Sequence, residues 1–322
     1  MRRIFPLLLL LALLLCPAAR GESPLPTPAP PVPVRSHTEQ FATPEPPPVV
    51  NAAADPDAAD SVRFLLDAKL LHVWFPNIVN ADEAILIYGD EVWLLDCGDV
   101  VAAERGVTLM KQLGITKIDM IVNSHPHHDH LGGLRCTAEA FPVGQLLICY
   151  PENVNATMKN AMKWAEHFSI PVESYSDGDV LAMGDGKVSL TFMLPAGQGL
   201  DMNNTSAQTM VRFGNRSILF TADIKTDGEA AVLAQYPPEA FRADVLKVPH
   251  HGKDILLGSF LEAVSPSLAV VTNKAADWIG MKHLKNHKIP ILYTVAGKSY
   301  VHLYTDGNAW IAEYVPLNFS LE

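Results

Sequence analysis

Asn123-Ser124-His125-Pro126-His127-His128-Asp129-His130-Leu131-Gly132-Gly133 is the stretch on which the reading of this chain turns. It holds the series His-x-His-x-Asp-His, directly after the apolar run Ile118-Asp119-Met120-Ile121-Val122. On a loop leaving a strand end, His125 and His127 can point one way while the bend at Asp129-His130 turns those two side chains toward a second point. Imidazole and carboxylate donors so gathered suit zinc, with manganese or iron as alternatives, and an open coordination position would mark a catalytic site. The bland alternative is a surface or tag-like histidine cluster. A tag would not sit between a buried-type strand and a Gly-Gly turn.

Three further stretches follow in order. Ala84-Ile85-Leu86-Ile87-Tyr88 and Glu91-Val92-Trp93-Leu94-Leu95-Asp96-Cys97-Gly98 read as a hairpin ending on a carboxylate. Ser217-Ile218-Leu219-Phe220-Thr221-Ala222-Asp223 is an apolar run ending on another, and Asp244-Val245-Leu246-Lys247-Val248-Pro249-His250-His251-Gly252 ends on a histidine pair. With the His loop, these resemble the metallo-β-lactamase superfamily, from about Val73 to the C-terminus. The His-His-Gly form, with Asn203-Asn204-Thr205-Ser206 ahead of it, is similar to the branch of the soluble ComEC-type competence domain and the phosphorylcholine esterases.

The resemblance implies an αββα sandwich, two mixed sheets with helices on the outer faces, and two divalent ions at one edge between the sheets. By motif matching, His125, His127 and Asp223 would serve one ion; Asp129, His130, Asp223 and either His250 or His251 the other. The histidine left over would orient a substrate oxygen or donate a proton to the leaving group. Asp96 resembles the structural carboxylate that holds the His loop. His128 sits at the loop's variable position and reads as solvent-exposed. Asn203, Asn204 and Ser206 stand where many relatives place a further His ligand, which implies one fewer protein ligand and room for substrate or water. Two departures stand out: Ala222 replaces the usual Gly before Asp223, and Lys253 the usual Ser or Thr after His-His-Gly. Lys253 would either add positive charge that favours a phosphate-bearing substrate or mark only a changed specificity. His72, His167, His283, His287 and His302 have no motif support and read as surface or core histidines.

The first sixty residues have another character. Met1-Arg2-Arg3, an apolar run to Leu15, then Cys16-Pro17-Ala18-Ala19-Arg20-Gly21, read as a secretory signal over 1–21, too short for a comfortable membrane span. Acylation at Cys16 is disfavoured by Leu15, and an uncleaved anchor is the other alternative. Residues 22–60 are crowded with Pro and Ala and read as a disordered linker; 61–322 read as the hydrolase domain. Loss of Arg2, Arg3 and Arg20 with the leader would take the net charge from -11 to -14, which argues against non-specific nucleic-acid binding through phosphate neutralisation. Lysines nonetheless concentrate between Arg242 and Lys298. Cys97 reads as a small buried residue, and Cys136 with Cys149 as a pair that could form a disulfide in an oxidising compartment.

Patterning predicts strands at 70–75, 84–96 with a turn at Gly89-Asp90, 118–122, 145–149, 188–194, 209–213, 217–221, 245–249, 268–272, 291–294, 300–304 and 310–314. Helices are predicted at 101–113, 131–141, 155–167, 229–235 and 255–264. The expectation is therefore an exported hydrolase that uses a metal-activated hydroxide on an anionic phosphoester: a phosphodiester in nucleic acid, or a phosphorylcholine-type wall or lipid ester. Asp129, His250, His251 and Lys253 are the candidate catalytic residues. A lactone, thioester or β-lactam hydrolase and a non-catalytic secreted binding module are the alternatives.

Overall fold

The computed structural model describes residues 67–319 and the backbone of Val49–Val50. The expected leader and, apart from those two residues, the expected linker lie outside the described residues. Val49–Val50 forms the short strand β1. Strand β2 (Leu71–Phe75) alternates its burial between two apolar layers: Leu71, Val73 and Phe75 join one cluster, Trp74 the other. That alternation is what a strand covered on both faces requires.

In chain order come β3 (Ala84–Tyr88), β4 (Glu91–Leu95), β5 (Met120–Val122), β6 (Leu146–Ile148), β7 (Val172–Ser174), β8 (Val180–Met183), β9 (Val188–Met193) and β10 (Gln208–Phe213). They are followed by β11 (Arg216–Phe220), β12 (Val245–Lys247), β13 (Leu268–Lys274), β14 (Ile291–Val295), β15 (Ser299–Thr305) and β16 (Trp310–Pro316). One sheet runs β1-β16-β15-β2-β3-β4-β5-β6-β7, the other β14-β13-β12-β11-β10-β9-β8. Between them lie Val73, Leu86, Val122, Leu190, Val211, Ile218 and Leu303. Helices α1 (Val100–Gln112), α2 (His128–Leu131), α3 (Leu134–Ala140) and α4 (Ala156–His167) accompany the first sheet, and α5 (Thr226–Gln235), α6 (Gly258–Val264) and α7 (Lys282–Asn286) the second. Their apolar sides supply the outer clusters, through Leu109 and Met158 in one case and Val232, Phe260 and Leu284 in the other. This is the expected αββα sandwich.

Parallel pairing decides where chemistry can sit. β4, β5 and β6 are parallel in the first sheet and β11, β12, β13 and β14 in the second. The loops leaving the carboxyl ends of such strands form the crevice where ligands bind. Asp96, the His loop, Asp223 and the His250-His251 pair all follow such ends.

Several local expectations are corrected. The helix expected over 131–141 is two pieces, α2 and α3, separated by Gly132-Gly133; a Cβ on Gly133 would stand 2.0 Å from the Cys97 carbonyl oxygen. Residues 255–257 precede α6 rather than belong to it. Strands β7 and β8 and helix α7 lie outside the sequence expectation, being short segments with weak apolar periodicity. The Cys136–Cys149 disulfide, which spacing alone left open, is not formed: Cys97, Cys136 and Cys149 are all free thiols. Cys149 faces the Ser124 carbonyl at 3.3 Å instead.

Candidate metal centre

Asp96 organises the His loop. Its carboxylate accepts from the Ser124 amide at 2.8 Å, the Asn123 side chain at 3.0 Å, the Ser124 hydroxyl at 2.7 Å and His130 Nδ1 at 2.7 Å. Donation from Nδ1 leaves the lone pair of His130 on Nε2, aimed into the site. His251 is set the same way, with Nδ1 at 2.9 Å from the Thr272 hydroxyl, which donates to Asp82 at 2.6 Å. Four non-glycine residues at the site hold left-handed backbone: Asp96 (φ 57°), Ala222 (47°), His250 (46°) and His251 (52°). Such strain persists where surrounding structure enforces it. It also explains why glycine is the easier choice at 222.

Two groups of donors converge. His125, His127 and Asp223 form one, and Asp129, His130, Asp223 and His251 the other, the donor atoms of each lying within 4.8 Å of one another. Asp223 belongs to both. In the second, His130 Nε2 is 3.2 Å from Asp223 Oδ1, His251 Nε2 3.4 Å from the same oxygen, and His251 Nε2 3.3 Å from Asp129 Oδ2. His130 Nε2, Asp223 Oδ1 and His251 Nε2 are buried without hydrogen-bond partners. Buried polar atoms left unpaired are costly, at about 1–3 kcal/mol each. Three of them facing one another are what a cation-binding donor set looks like, so these residues fit a divalent ion.

The electrostatics agree. Burial works against charge on His251, yet the carboxylates of Asp223 and Asp82 carry it up to about 9; Asp223 and Asp96 raise His130 against the same penalty. Burial would raise Asp223, but His130 and His251 hold it well below the usual carboxylate range. Asp129 falls to about 2, its burial outweighed by the close approach of His251 and the charge of His130. His125 is driven down by burial and then by His130, and His127 follows for the same reasons. The centre sets ionised carboxylates against imidazoles inclined to hold protons, and a cation must displace those protons to enter.

Of the expected site residues, the structure gathers His125, His127, Asp129, His130, Asp223 and His251 at one point. His250 stands apart from both donor groups: it is 19% exposed, with Nε2 3.5 Å from Asp223 Oδ2 and Nδ1 paired with Asp254. Lys253 lies half-buried on the same turn, its amide donating to the His250 carbonyl. His128 is exposed. Asn204 points away from the donors: its side-chain oxygen accepts from the amides of Lys225 and Gly228 at 3.1 and 2.9 Å, tying its loop to the start of α5. Ser206 is fully buried with an unpartnered hydroxyl. Sequence reasoning missed Asp82, Lys247 and Thr272, all buried around His251. Lys247, charged inside the apolar run from Val245 to Val248, was the one visible signal.

The fold, the order of motifs and the donor geometry define a class, and the family comparison agrees: the metallo-β-lactamase superfamily model matches residues 83–271. The chain belongs to that superfamily. Within it, the chain is similar to ComE operon protein 3 of Bacillus subtilis, at 26% identity over 64% of this chain and 27% of that protein. It is also similar to competence protein ComA of Neisseria gonorrhoeae, at 29% identity over 57% of this chain and 24% of that protein. These relatives support the ComEC-type competence branch, and the matched region spans about a quarter of their length. Among solved structures, the metallo-β-lactamase fold protein YhfI from Bacillus subtilis matches at 14% identity, over 70% of this chain and 95% of that one, with TM-score 0.46. MEM-A1, a subclass B3 metallo-β-lactamase from a soil metagenome library, matches at 14% identity over 56% and 78%, with TM-score 0.40. Among the described residues no helix is long and apolar enough to cross a membrane.

Proposed function

We propose that the chain is an exported, dinuclear metal-dependent hydrolase of phosphoesters, with a phosphodiester as the preferred substrate class. The observation that carries this reading is the pair of donor groups sharing Asp223. On this reading His125, His127 and Asp223 would hold one divalent ion and Asp129, His130, Asp223 and His251 the other, with zinc favoured by the donor chemistry. Such ions, when bound, lower the pKa of water toward neutrality and polarise the bond under attack.

The chain's own residues do the rest. Asp96 and Thr272 fix the tautomers of His130 and His251, so their lone pairs stay aimed inward. His250, oriented by Asp254 and partly open to solvent, is placed to hand a proton to the leaving oxygen. Lys253, on the same turn, supplies positive charge for a phosphoryl oxygen. The phosphoester preference is supported by this lysine and by the similarity to ComE operon protein 3 and competence protein ComA. Export rests on residues 1–21, which lie outside the described part.

The test is hydrolysis of bis-p-nitrophenyl phosphate, p-nitrophenyl phosphorylcholine, DNA and nitrocefin by the metal-loaded protein. Cleavage of one or more phosphoesters is the expected result; cleavage of nitrocefin alone would replace the phosphoester reading with the β-lactam one.

A further inference from the structure

Lys247 is a fully enclosed lysine, 2% exposed, at the end of β12. Its ammonium pairs with Asp82, a residue 165 positions away, and donates to the Ala222 carbonyl at 3.1 Å. A buried ion pair is seldom the most stable filling for such a space, since desolvating both charges costs several kcal/mol and apolar replacements are often neutral or better. Here both partners of the ammonium lead to the metal centre.

On one side, Asp82 receives the Thr272 hydroxyl at 2.6 Å and stands 3.1 Å from His251 Nδ1. The Asp82 amide also donates to the Asp129 carbonyl at 3.0 Å. On the other side, Ala222 precedes Asp223 and holds the strained left-handed backbone that turns Asp223 inward; its carbonyl also accepts the His250 amide at 3.0 Å. One ammonium therefore braces a connection to His251 and a connection to Asp223, across the two sheets. It also answers a question of occupancy. Asp82, Asp96 and His130 form a third convergent group, and the Asp82 carboxylate in that group already has the Lys247 ammonium as its cation.

We infer that Lys247 is a positioning residue for the second metal site: through Asp82 and the Ala222 carbonyl it fixes the directions of His251 and Asp223. The inference rests on the dinuclear reading of the site. It implies that a neutral, unbranched side chain would preserve the sandwich and loosen the ion held by Asp129, His130, Asp223 and His251. A cavity of about 20 Å³ bordered by Asp82, Lys247, Thr272 and Phe220 gives the thioether of a Lys247→Met side chain room to settle.

The experiment is Co(II) titration of the full chain, followed by visible absorption of the bound ions, with stoichiometry from elemental analysis. It compares wild type, Lys247→Met, Lys247→Met/Asp82→Asn and Leu246→Ala. The double variant removes both charges, so no unpaired carboxylate is left to prevent folding. Leu246 is buried on the same strand in the cluster on the far side of its sheet, and its truncation softens β12 without touching the relay. The expected result is two ions in wild type and, in both Lys247 variants, a 10- to 100-fold loss of affinity for the ion assigned to Asp129, His130, Asp223 and His251, the range for removing a residue that orients ligands. The spectrum of that ion changes too, while Leu246→Ala keeps wild-type affinity at a comparable loss of thermal stability. Unchanged affinity in the folded double variant, or an equal loss in Leu246→Ala, overturns the inference while leaving the dinuclear centre standing. Failure of wild type to bind any ion removes the dinuclear reading and the inference with it.

Discussion

Replacing Glu313 by Gln tests how a buried polar chain in the first sheet holds its protons. His72 Nε2 lies 3.1 Å from the Asp67 carbonyl, His72 Nδ1 3.2 Å from His302 Nε2, and His302 Nδ1 2.9 Å from a Glu313 carboxyl oxygen. A carbonyl only accepts, so His72 donates from Nε2 and accepts at Nδ1. His302 then donates from Nε2 and must accept at Nδ1, which requires a proton on Glu313. Burial works in the same sense. It lifts Glu313 from 4.5 to about 7 and drives His302 well down; burial and then His302 bring His72 to about 3. Asp67 and Tyr304, whose ring stacks 5.1 Å from that of His302, are the other titratable groups facing the chain. Because folded Glu313 keeps a proton the unfolded chain has lost, its contribution is full below pH 4.5 and disappears as pH rises through about 7. At about 1.4 kcal/mol per pH unit, that loss is about 3 kcal/mol. Gln offers His302 an amide N–H in place of the carboxyl O–H, with no proton to give up. Glu313→Gln should match wild type near pH 4.5 and exceed it by about 3 kcal/mol at pH 8. Both histidines have depressed folded pKa values, so both proteins lose stability as pH falls from 6.5 toward 3, and that term cancels in the difference. Urea unfolding followed by circular dichroism across this range measures it. A difference that does not change with pH refutes the proton assignment.

His251→Ala should cost the chain one bound ion, whereas His250→Ala should keep both ions and lose about 10²- to 10⁴-fold in kcat on a phosphodiester, the range for removing a general acid; elemental analysis and steady-state kinetics separate the two. Gly133→Ala would drive a Cβ to 2.0 Å from the Cys97 carbonyl oxygen. It should lower stability by about 1–3 kcal/mol, as overpacking does, and weaken metal binding by shifting the His loop, which thermal melts with and without metal would show. Asn204→Ala, which frees the amides of Lys225 and Gly228, should cost about 1–2 kcal/mol in unfolding experiments and leave metal stoichiometry unchanged.

What the sequence disclosed was the part written locally. The His loop, Asp96 and Asp223 each follow an apolar run, so strand and candidate site residue could be read together, and the sandwich followed from their order. The choice between His250 and His251 was not local. It depends on two successive left-handed residues that turn His251 into the centre and leave His250 at its rim. The Lys247–Asp82 pair spans 165 positions and the His72–His302 contact 230. No periodicity encodes such partnerships; each becomes visible only when β12 faces the loop after β2, or β15 pairs with β2. The amides that Asn204 accepts from lie 21 and 24 positions on, at Lys225 and Gly228, and its own loop gives no local sign of them.

Metal content of the full chain, purified without chelator and measured beside Asp223→Ala, bears most directly on the centre itself. The account predicts two divalent ions per wild-type chain and at most one, loosely held, in Asp223→Ala, since both donor groups share that carboxylate. A wild-type protein without metal, or a variant that binds as fully as wild type, would contradict it.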